Sequence, residues 1–235
     1  MTAEQIVGEL KSLGNDNYKR ILFNHGIQEP CYGVKIEEMK KIQKRIKKDY
    51  RLALDLYDTG IYDAMYLAGL IADDSKMTKI DLQRWVEKAN SAMHCEYTVA
   101  WVAAESPHGY PLALEWIDSK NERIATAGWA TLSSLVAIND DSDLDVAELK
   151  QLLQRVQKTI HDQPNRVRYV MNGFVIAVGS YVKALTALAL QAAAKIGPVT
   201  VEMGGTACKV PEAAAYIKKV QTRGAIGKKR KTAKC

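Results

Sequence analysis

The stretch DVAELKQLLQRVQKTI, residues 145–160, carries an uninterrupted helical pattern. Its apolar residues recur at steps of three and four positions, which places them along one face of an α-helix. That apolar stripe consists of Val146, Leu149, Leu152, Leu153, Val156 and Ile160. Asp145 and Glu148 have the spacing of a capping box at its start, so a helix is predicted to begin there.

The same periodicity recurs in almost every other segment, and the alternation typical of strands is almost absent. Thr2 with Gln5 and Ser119 with Glu122 mark further helix starts. The stops fall at Gly14, Gly60, residues 106–109, residues 139–142, Pro164 and Gly197-Pro198. These signals predict about a dozen helices of roughly 10–17 residues, joined by short connections.

Three of the predicted helices, over residues 61–72, 121–137 and 165–180, contain small residues within an apolar sequence. These small residues include Ala64, Ala68, Gly69, Ala125, Ala127, Gly128, Gly173 and Ala177. Small residues let helices of adjacent pairs approach closely, as stacked α-solenoid units require. We therefore predict an all-α fold, an α-α superhelix in which helical hairpins stack into a curved solenoid. A globular helical bundle is the alternative.

The end of the chain has a different composition from the rest. Residues 198–211 are rich in Pro, Gly and β-branched residues, which indicates an irregular linker. A last helix is predicted over residues 211–222, followed by a basic tail. The predicted organisation is therefore a repeat domain over residues 1–197 and a segment over residues 198–235 that either belongs to that domain or is appended to it.

Overall composition is that of a packed soluble protein, with 47% hydrophobic and 26% charged residues in 235. Charged residues interrupt the N-terminal stretch, and Lys183 and Lys195 bound the longest weakly polar run, so neither a signal peptide nor a membrane span is predicted. The four cysteines form no C-x-x-C pair, which favours reduced cytosolic thiols over disulfides or a zinc site. We expect a cytoplasmic monomer.

Positive charge is concentrated at two places. Residues 218–235 contain eight Lys and Arg and no acid, and residues 35–51 contain eight bases and three acids. The chain between them, residues 52–217, has 14 bases and 20 acids. Two basic segments that flank an acidic middle favour a polyanion held along one edge or face. A solvated helix face with a disordered, solubilising tail is the alternative.

Sequence signatures of several enzyme classes are missing. The chain has no Walker A motif, no G-x-G-x-x-G after a strand, no G-x-S-x-G and no H-E-x-x-H. His94, Cys95 and His108 come nearest to a metal-ligand set, yet His94 and Cys95 are adjacent and point to different faces of a helix. We therefore predict no metal and no cofactor.

Aromatic and acidic residues are densest in the segment EYTVAWVAAE, residues 96–105. Tyr97, Trp101 and Glu105 follow one another at four-residue steps and so share one helix face. A ring beside a carboxylate suits an electron-poor, cationic base, through cation–π contact and charge stabilisation or water activation. The alternative is structural, since Trp at helical spacing is common in cores and Glu105 precedes a Ser-Pro turn.

The segment YGVKIEEMKKI, residues 32–42, resembles the Gly-Val-x-x-x-x-Leu/Met-Arg/Lys-x-Ile signature of the bacterial DNA alkylation repair family, the AlkD-like DNA glycosylases. Looser similarities follow in the same order at residues 115–121 and at Val167-Arg168-Tyr169-Val170, so that the resemblance covers most of residues 1–197. It implies stacked HEAT-like helical repeats whose basic concave face holds duplex DNA. The implied activity is excision of cationic N3- or N7-alkylated purines without a metal.

This sequence departs from the motif that the resemblance implies for active members, Trp-x-x-x-Asp on a concave helix. In one register Glu96 stands at the Trp position and Ala100 at the Asp position, which removes the carboxylate. In the other register Trp101 and Glu105 match the motif, with Glu for Asp. The first register is preferred because it needs no extended helix, but Glu96 and Glu105 are both kept as candidate catalytic residues.

Two further family positions are matched only loosely. The downstream Arg that the resemblance implies is matched best by Arg123, at a different offset. No Trp stands at the position of the second aromatic residue, where Phe174 or Tyr169 could partly substitute. The segment at residues 204–211 and the basic run at residues 227–231 lie outside the family pattern, which indicates a divergent branch.

The preferred hypothesis is a DNA-binding HEAT-like repeat protein that recognises damaged or distorted duplex DNA through a basic concave surface, with glycosylase activity uncertain. Tyr97 and Trp101 are the candidate base-contacting residues. The candidate DNA-binding residues are Lys40, Lys44, Lys47, Lys48, Arg123, Arg166, Arg168, Lys228, Lys229, Arg230 and Lys231. The alternatives are an active alkylpurine glycosylase that uses Glu105 or Glu96, and a scaffold that binds an acidic protein partner.

Overall fold

The structure is a computed structural model in which residues 1–234 are described. Regular structure within those residues is helical throughout, with no strand. The thirteen α-helices there are α1 (Ala3–Ser12), α2 (Asp16–Asn24), α3 (Ile36–Ile46), α4 (Tyr50–Asp58), α5 (Tyr62–Ile71), α6 (Lys79–Lys88), α7 (Ala100–Glu105), α8 (Gly109–Trp116), α9 (Glu122–Ile138), α10 (Val146–Thr159), α11 (Asn165–Tyr181), α12 (Thr186–Ile196) and α13 (Ala213–Thr222). A π-helical turn, His94–Val99, leads directly into α7.

The helices begin close to the polar residues that were expected to cap them. Thr2 and Gln5 form a complete capping box at α1. The Asp145 side chain accepts a hydrogen bond from the Glu148 backbone N–H at 2.9 Å, so α10 begins where the sequence predicts. Asn121, and not Ser119, caps α9. Each cap satisfies a backbone donor that the first helical turn leaves without a partner.

Successive helices pair antiparallel and stack into a curved solenoid, which confirms the predicted fold class. The helices α5, α7, α9 and α11 lie side by side and form what we call the inner row. The helices α4, α8 and α12 each pack against a member of the inner row from outside. Every residue of α5 is buried because neighbours cover it on both sides.

Small residues permit two of the close helix contacts. A Cβ built on Gly69 would lie 2.7 Å from the Thr98 side chain, and one on Gly128 would lie 2.7 Å from the backbone nitrogen of Ile117. Gly173 differs, because a Cβ there would meet nothing within 4 Å. Close packing therefore explains Gly69 and Gly128, whereas Gly173 borders open space.

The last described residues, 225–234, form an extended segment that we call the strap. It crosses the C-terminal ends of the inner row in reverse order. The backbone N–H of Gly227 donates to Ser180 O at the end of α11, and that of Arg230 donates to Ala137 O near the end of α9. The Lys234 ammonium then donates to Ala72 O, just after α5. Cationic groups at helix C-termini interact favourably with the helix dipoles.

Helix length and apolar content in the described residues, 1–234, bear on membrane spanning. No single helix there is long and apolar enough to cross a bilayer. One pair, Asn165–Tyr181 with Lys183–Ile196, meets the length and composition criteria only when taken together, and it is bent by 113°.

Candidate nucleic-acid interface

A cavity opens where the π-helical turn faces the start of α11. It consists of two neighbouring hollows of about 550 and about 250 Å³ that share lining residues, and we call them together the aromatic cavity, with a larger and a smaller part. Glu96, Tyr97 and Tyr169 line both parts. Trp101, Gly173 and Tyr181 line the smaller part, together with Ser133, Ser134 and Arg230. π-Helical turns are rare, and they occur frequently at functional sites.

Ring contacts fix the aromatic residues of this cavity. The Tyr97 and Trp101 ring centroids lie 5.4 Å apart, so the face that the sequence predicted for these two residues is present. Tyr66 packs edge-on against Trp101, with a centroid distance of 5.8 Å. On the opposite wall the Arg166 guanidinium lies 4.5 Å above the Tyr169 ring. The cavity therefore has aromatic surfaces on both walls.

A buried ion pair lies between these walls. Arg166 Nε donates to Glu96 Oε1 at 2.8 Å, and a second guanidinium nitrogen contacts the same oxygen. Only 4% of the Glu96 side chain is exposed, against 24% of Arg166. Burial raises the pKa of the Glu96 carboxyl, and the attraction of Arg166 opposes that rise. The pair joins the π-helical turn to the start of α11, on the face of the inner row that bears the aromatic cavity, which we call the inner face.

The far wall of the cavity comes from a segment that the sequence predicts as a linker. Asn165 holds this segment through paired hydrogen bonds with the Glu202 backbone, 2.9 and 2.8 Å long. Met203 and Gly204 then line the cavity beside Asn24, the last residue of α2, since a Cβ built on Gly204 would lie 3.2 Å from Asn24 O. Residues 202–204 thus enclose the side of the aromatic cavity that lies next to the N-terminal helices.

Glu105 lies elsewhere. Its Oε1 accepts a hydrogen bond from the backbone N–H of Ala233 at 2.7 Å and another from the Thr232 hydroxyl, both in the strap. It lines a different hollow, together with Pro107 and Lys231. The structure brings Tyr97 and Trp101 together with Glu96 around one cavity, and it holds Glu105 against the strap.

The structure also shows where the candidates for the second aromatic residue and for the downstream arginine lie. Tyr169 lines the aromatic cavity, whereas Phe174 is fully buried against Trp129. Arg123 donates to Ala89 O at 2.8 Å and does not line the cavity. Arg166 is the arginine that reaches it. Arg166 was one of several bases predicted to bind DNA. Its partner Glu96 could not be identified from the sequence, because the two residues are 70 positions apart and meet only in the folded chain.

The two basic segments of the chain meet in space at Asp74. This carboxylate is 2% exposed and pairs with Lys48 at 3.2 Å and with Lys234 at 2.7 Å. Lys44 and Lys47 on and after α3 are exposed, as are Lys228, Arg230 and Lys231 in the strap. We call these five exposed residues, at the end of α3 and in the strap, the basic edge.

Some of the predicted DNA-binding residues are already engaged. Lys229 donates to Val136 O at 2.9 Å and pairs with Asp141 at 2.8 Å, so only 14% of its side chain is exposed. Lys40 is half-buried on α3. Arg168 is also half-buried, and its Nε is buried without a hydrogen-bond partner.

Metal-ligand geometry is not found in the described residues. Among residues 1–234, no three His, Cys, Asp or Glu side chains are grouped so that they could hold a metal ion. His94 is fully buried and hydrogen-bonds to Asn90 at 2.9 Å and to Tyr62 O at 3.2 Å. Burial lowers the pKa of its imidazole to about 4, so it is neutral at pH 7.

Comparison with known proteins gives concordant results. Residues 6–217 match the family described as DNA alkylation repair enzyme. Uncharacterized proteins of Listeria innocua serovar 6a and Listeria monocytogenes serovar 1/2a are each 33% identical over 228 residues, covering 95% of this chain and 99% of the relative. A solved structure, described as a new family of proteins related to the HEAT-like repeat DNA glycosylases with affinity for branched DNA structures, is 35% identical, with full coverage of both chains and a TM-score of 0.93.

Proposed function

The chain belongs to the DNA alkylation repair family, and on that premise we propose that it binds branched or otherwise distorted DNA along the basic edge and the inner face. The observation that carries the proposal is the convergence at Asp74 of two basic segments that are far apart in sequence. The similar solved structure belongs to a family described as having affinity for branched DNA structures, which supports branched DNA as the ligand here.

Exposed cations along one edge favour contacts with phosphates. Lys44, Lys47, Lys228, Arg230 and Lys231 are all exposed in the structure. Lysine and arginine side chains that neutralise phosphates release counterions, so binding becomes weaker as salt concentration rises. Such contacts position a DNA strand without reading its sequence. Preference for a branch would come from the shape of the DNA, since a curved array of helices can contact two arms that a straight duplex cannot present together.

The direct test compares binding of a four-way junction, a matched duplex and an acidic protein by fluorescence anisotropy over a range of salt concentrations. We expect the junction to bind most tightly. Replacing Lys44 and Lys47 by Gln should reduce the slope of log affinity against log salt by about 0.9 for each phosphate that is no longer neutralised. The control is the double variant Lys150→Gln/Lys158→Gln, because both lysines are exposed on α10, which packs against α12 and carries no residue of the basic edge.

Two results would contradict this proposal. One is equal affinity for junction and duplex with no change of slope in the α3 variant. The other is tighter binding of the acidic protein than of any DNA, which would favour the scaffold hypothesis instead.

Glycosylase activity is a second candidate, and the position of Glu96 favours it over a reaction at Glu105. A carboxylate among aromatic rings could stabilise the positive charge that develops on the sugar as an alkylated purine leaves. If the protein releases N3- or N7-alkylpurines, Glu96→Gln should lower the single-turnover rate by a factor of about 100 or more. Glu105→Gln should leave that rate unchanged. Absence of base release from alkylated duplex with the wild-type protein in excess would remove this candidate.

A further inference from the structure

We infer that the aromatic cavity receives one unpaired nucleobase of the bound DNA, supplied by the branch point where base pairing is interrupted. The inference rests on the proposed function and specifies what the cavity beside the basic edge binds. It assigns to Tyr97, Tyr169, Glu96 and Arg166 the role of a base-binding site. Base excision is not part of this role.

The size and walls of the cavity fit a flat, partly polar ring. The larger part, about 550 Å³, is of the size usual for small-ligand sites. Tyr97 and Tyr169 line both parts, so each part has the same two rings in its wall. Every nucleobase has a π-face that can stack on an aromatic side chain, so such a site tolerates any base.

The centre of the cavity offers a hydrogen-bond acceptor and donors side by side. Two nitrogens of the Arg166 guanidinium bind Glu96. The third lies 3.9 Å from the Met203 sulfur, which is a weak acceptor. A base carbonyl oxygen is a better partner for that nitrogen. The edges of the bases combine such acceptors with N–H donors, for which the Glu96 carboxylate is a suitable partner.

A cation suited to the phosphate of the same nucleotide lies in the wall of the smaller part. Arg230 lines the smaller part of the cavity and is exposed. Its backbone N–H is fixed to Ala137 O at 2.7 Å, so the strap holds this residue beside the cavity. Aromatic surface and a neighbouring positive charge are the combination by which proteins bind unpaired nucleotides. Arg230 therefore differs from the other exposed cations, because it lies beside the aromatic rings of the cavity.

Gly173 provides a way to block the cavity without disturbing the core. It lies in the wall of the smaller part, and a Cβ there meets nothing within 4 Å. A leucine at this position would fill the smaller part of the cavity, beside the Tyr97 and Tyr169 rings on which the base is proposed to stack. Gly8 on α1 is a matched control, because it is also a helical glycine with open space around it, and it is remote from the cavity.

The experiment uses the full chain and two three-way junctions that differ at one unpaired position at the branch point. One junction carries 2-aminopurine there and the other carries an abasic analogue. Stacking should quench the 2-aminopurine fluorescence when the wild-type protein binds. The abasic junction should bind about tenfold or more weakly, as expected when one stacked base is removed.

Variants assign that effect to the cavity. Tyr169→Ala and Gly173→Leu should abolish the quenching and should bind both junctions equally. Tyr169→Phe, which keeps the ring, and Gly8→Leu should behave like the wild-type protein. Thermal unfolding of each variant is measured in parallel, and Gly173→Leu keeps the test valid if Tyr169→Ala does not fold.

The outcomes separate this inference from the proposed function. Equal affinity of the wild-type protein for the two junctions, or quenching that persists in Gly173→Leu, would overturn the base site even if junctions bind more tightly than duplex. Failure of the wild-type protein to bind any branched DNA would instead refute the proposed function.

Discussion

At the scale of single residues, the most informative group is the ion pair between Glu96 and Arg166. The carboxylate is almost completely buried, and Arg166 is its only hydrogen-bond partner among those that the structure identifies. A buried ion pair contributes little net stability, because desolvation offsets the attraction, but removal of one partner leaves a charge without compensation. The pair therefore fixes the geometry of the cavity more than it stabilises the fold.

This asymmetry leads to a prediction for Arg166→Gln. The variant should lower the free energy of unfolding by about 3 kcal/mol, the lower end of the range for breaking a buried pair, since Arg166 is partly exposed. The double variant Glu96→Gln/Arg166→Gln should recover part of that stability, because no buried charge remains. Urea denaturation measures both. A double variant less stable than Arg166→Gln would contradict the assignment.

His94 predicts how stability depends on pH. Its pKa falls from 6.5 to about 4 in the folded protein, because burial disfavours the charged imidazole. The unfolded chain therefore binds a proton between these two values and the folded chain does not. The contribution of His94 to stability is complete above pH 6.5 and is lost as pH falls, and the loss amounts to about 3 kcal/mol at pH 4.

The measurement is the free energy of unfolding at pH 7 and at pH 4 for the wild-type protein and for His94→Gln. The carboxylates titrate in both proteins, so the difference between the two pH dependences isolates His94. His25→Gln is the control, because His25 is exposed. An identical pH dependence in the wild-type protein and His94→Gln would show that the burial of this imidazole has no energetic consequence.

Individual site residues could be predicted from the sequence only in part, for a physical reason. Tyr97 and Trp101 were predicted to share a face because they are one helical turn apart, and such local geometry can be read from spacing. The partner of Glu96 is 70 residues away and that of Asp74 is 160 residues away. No local pattern specifies such contacts, since they depend on how whole helices stack.

At the scale of helices, glycine marks two different kinds of position. Gly128 lies where α9 passes the end of α8, and Gly173 lies at the surface of the cavity. The sequence placed both in small-residue segments and predicted close packing for both. The prediction is correct for Gly128 and wrong for Gly173, because periodicity identifies the face of a helix but not whether another helix covers it.

Alanine substitution should separate the two. Gly128→Ala should destabilise the protein by about 1–3 kcal/mol, because its Cβ would overlap the backbone of Ile117. Gly173→Ala should stabilise it by up to about 1 kcal/mol, since alanine favours the helix and meets no neighbour. Thermal or urea unfolding measures whether each substitution lowers or raises the stability. Equal effects at the two positions would contradict the packing described for α9 and α11.

The helices themselves were largely predictable. The predicted spans 61–72, 121–137 and 165–180 correspond to α5, α9 and α11 within one residue at each end. Apolar periodicity and capping residues act over one or two turns, so they are visible in the sequence. The π-helical turn before α7 was not predicted, since its apolar spacing does not differ from that of an α-helix over six residues.

At the scale of the whole molecule, the strap changes how the repeats depend on one another. In an ordinary solenoid each repeat contacts only its neighbours. Here residues 225–234 contact the ends of α11 and α9, then Glu105 at the end of α7, and finally Asp74 after α5. Lys234 and Asp74 join parts of the chain that are 160 residues apart in the sequence. The tail was expected either to bind phosphate or to be disordered, and its structural role was not anticipated.

The charge and structural contributions of the strap should be separable. Replacing the exposed Lys228, Arg230 and Lys231 by Gln should lower the salt slope of junction binding by at most about 2.7, at 0.9 for each neutralised phosphate. Stability should change little, because the strap's backbone hydrogen bonds remain and only the 3.3 Å bond from the Arg230 side chain to Lys234 O is lost. Deletion of residues 224–235 should reduce both the slope and the melting temperature.

Lys234→Met is the complementary variant. It should lower the free energy of unfolding by about 3 kcal/mol, because Asp74 stays buried with Lys48 alone. Junction affinity and its salt dependence should not change, since Lys234 is itself buried. A lower salt slope in Lys234→Met, at unchanged stability, would place this lysine on the DNA-binding surface instead.

The position of the strap in the chain also has a consequence for biosynthesis. The ribosome releases residues 225–234 after every helix that they contact, so the link between Lys234 and Asp74 forms only when all the repeats have been made. Until then the nascent helices can stack on their neighbours one pair at a time, but the C-terminal ends of α5, α7, α9 and α11 remain without the strap. A nascent chain stalled before residue 225 should therefore be more sensitive to proteases at these ends than the released protein.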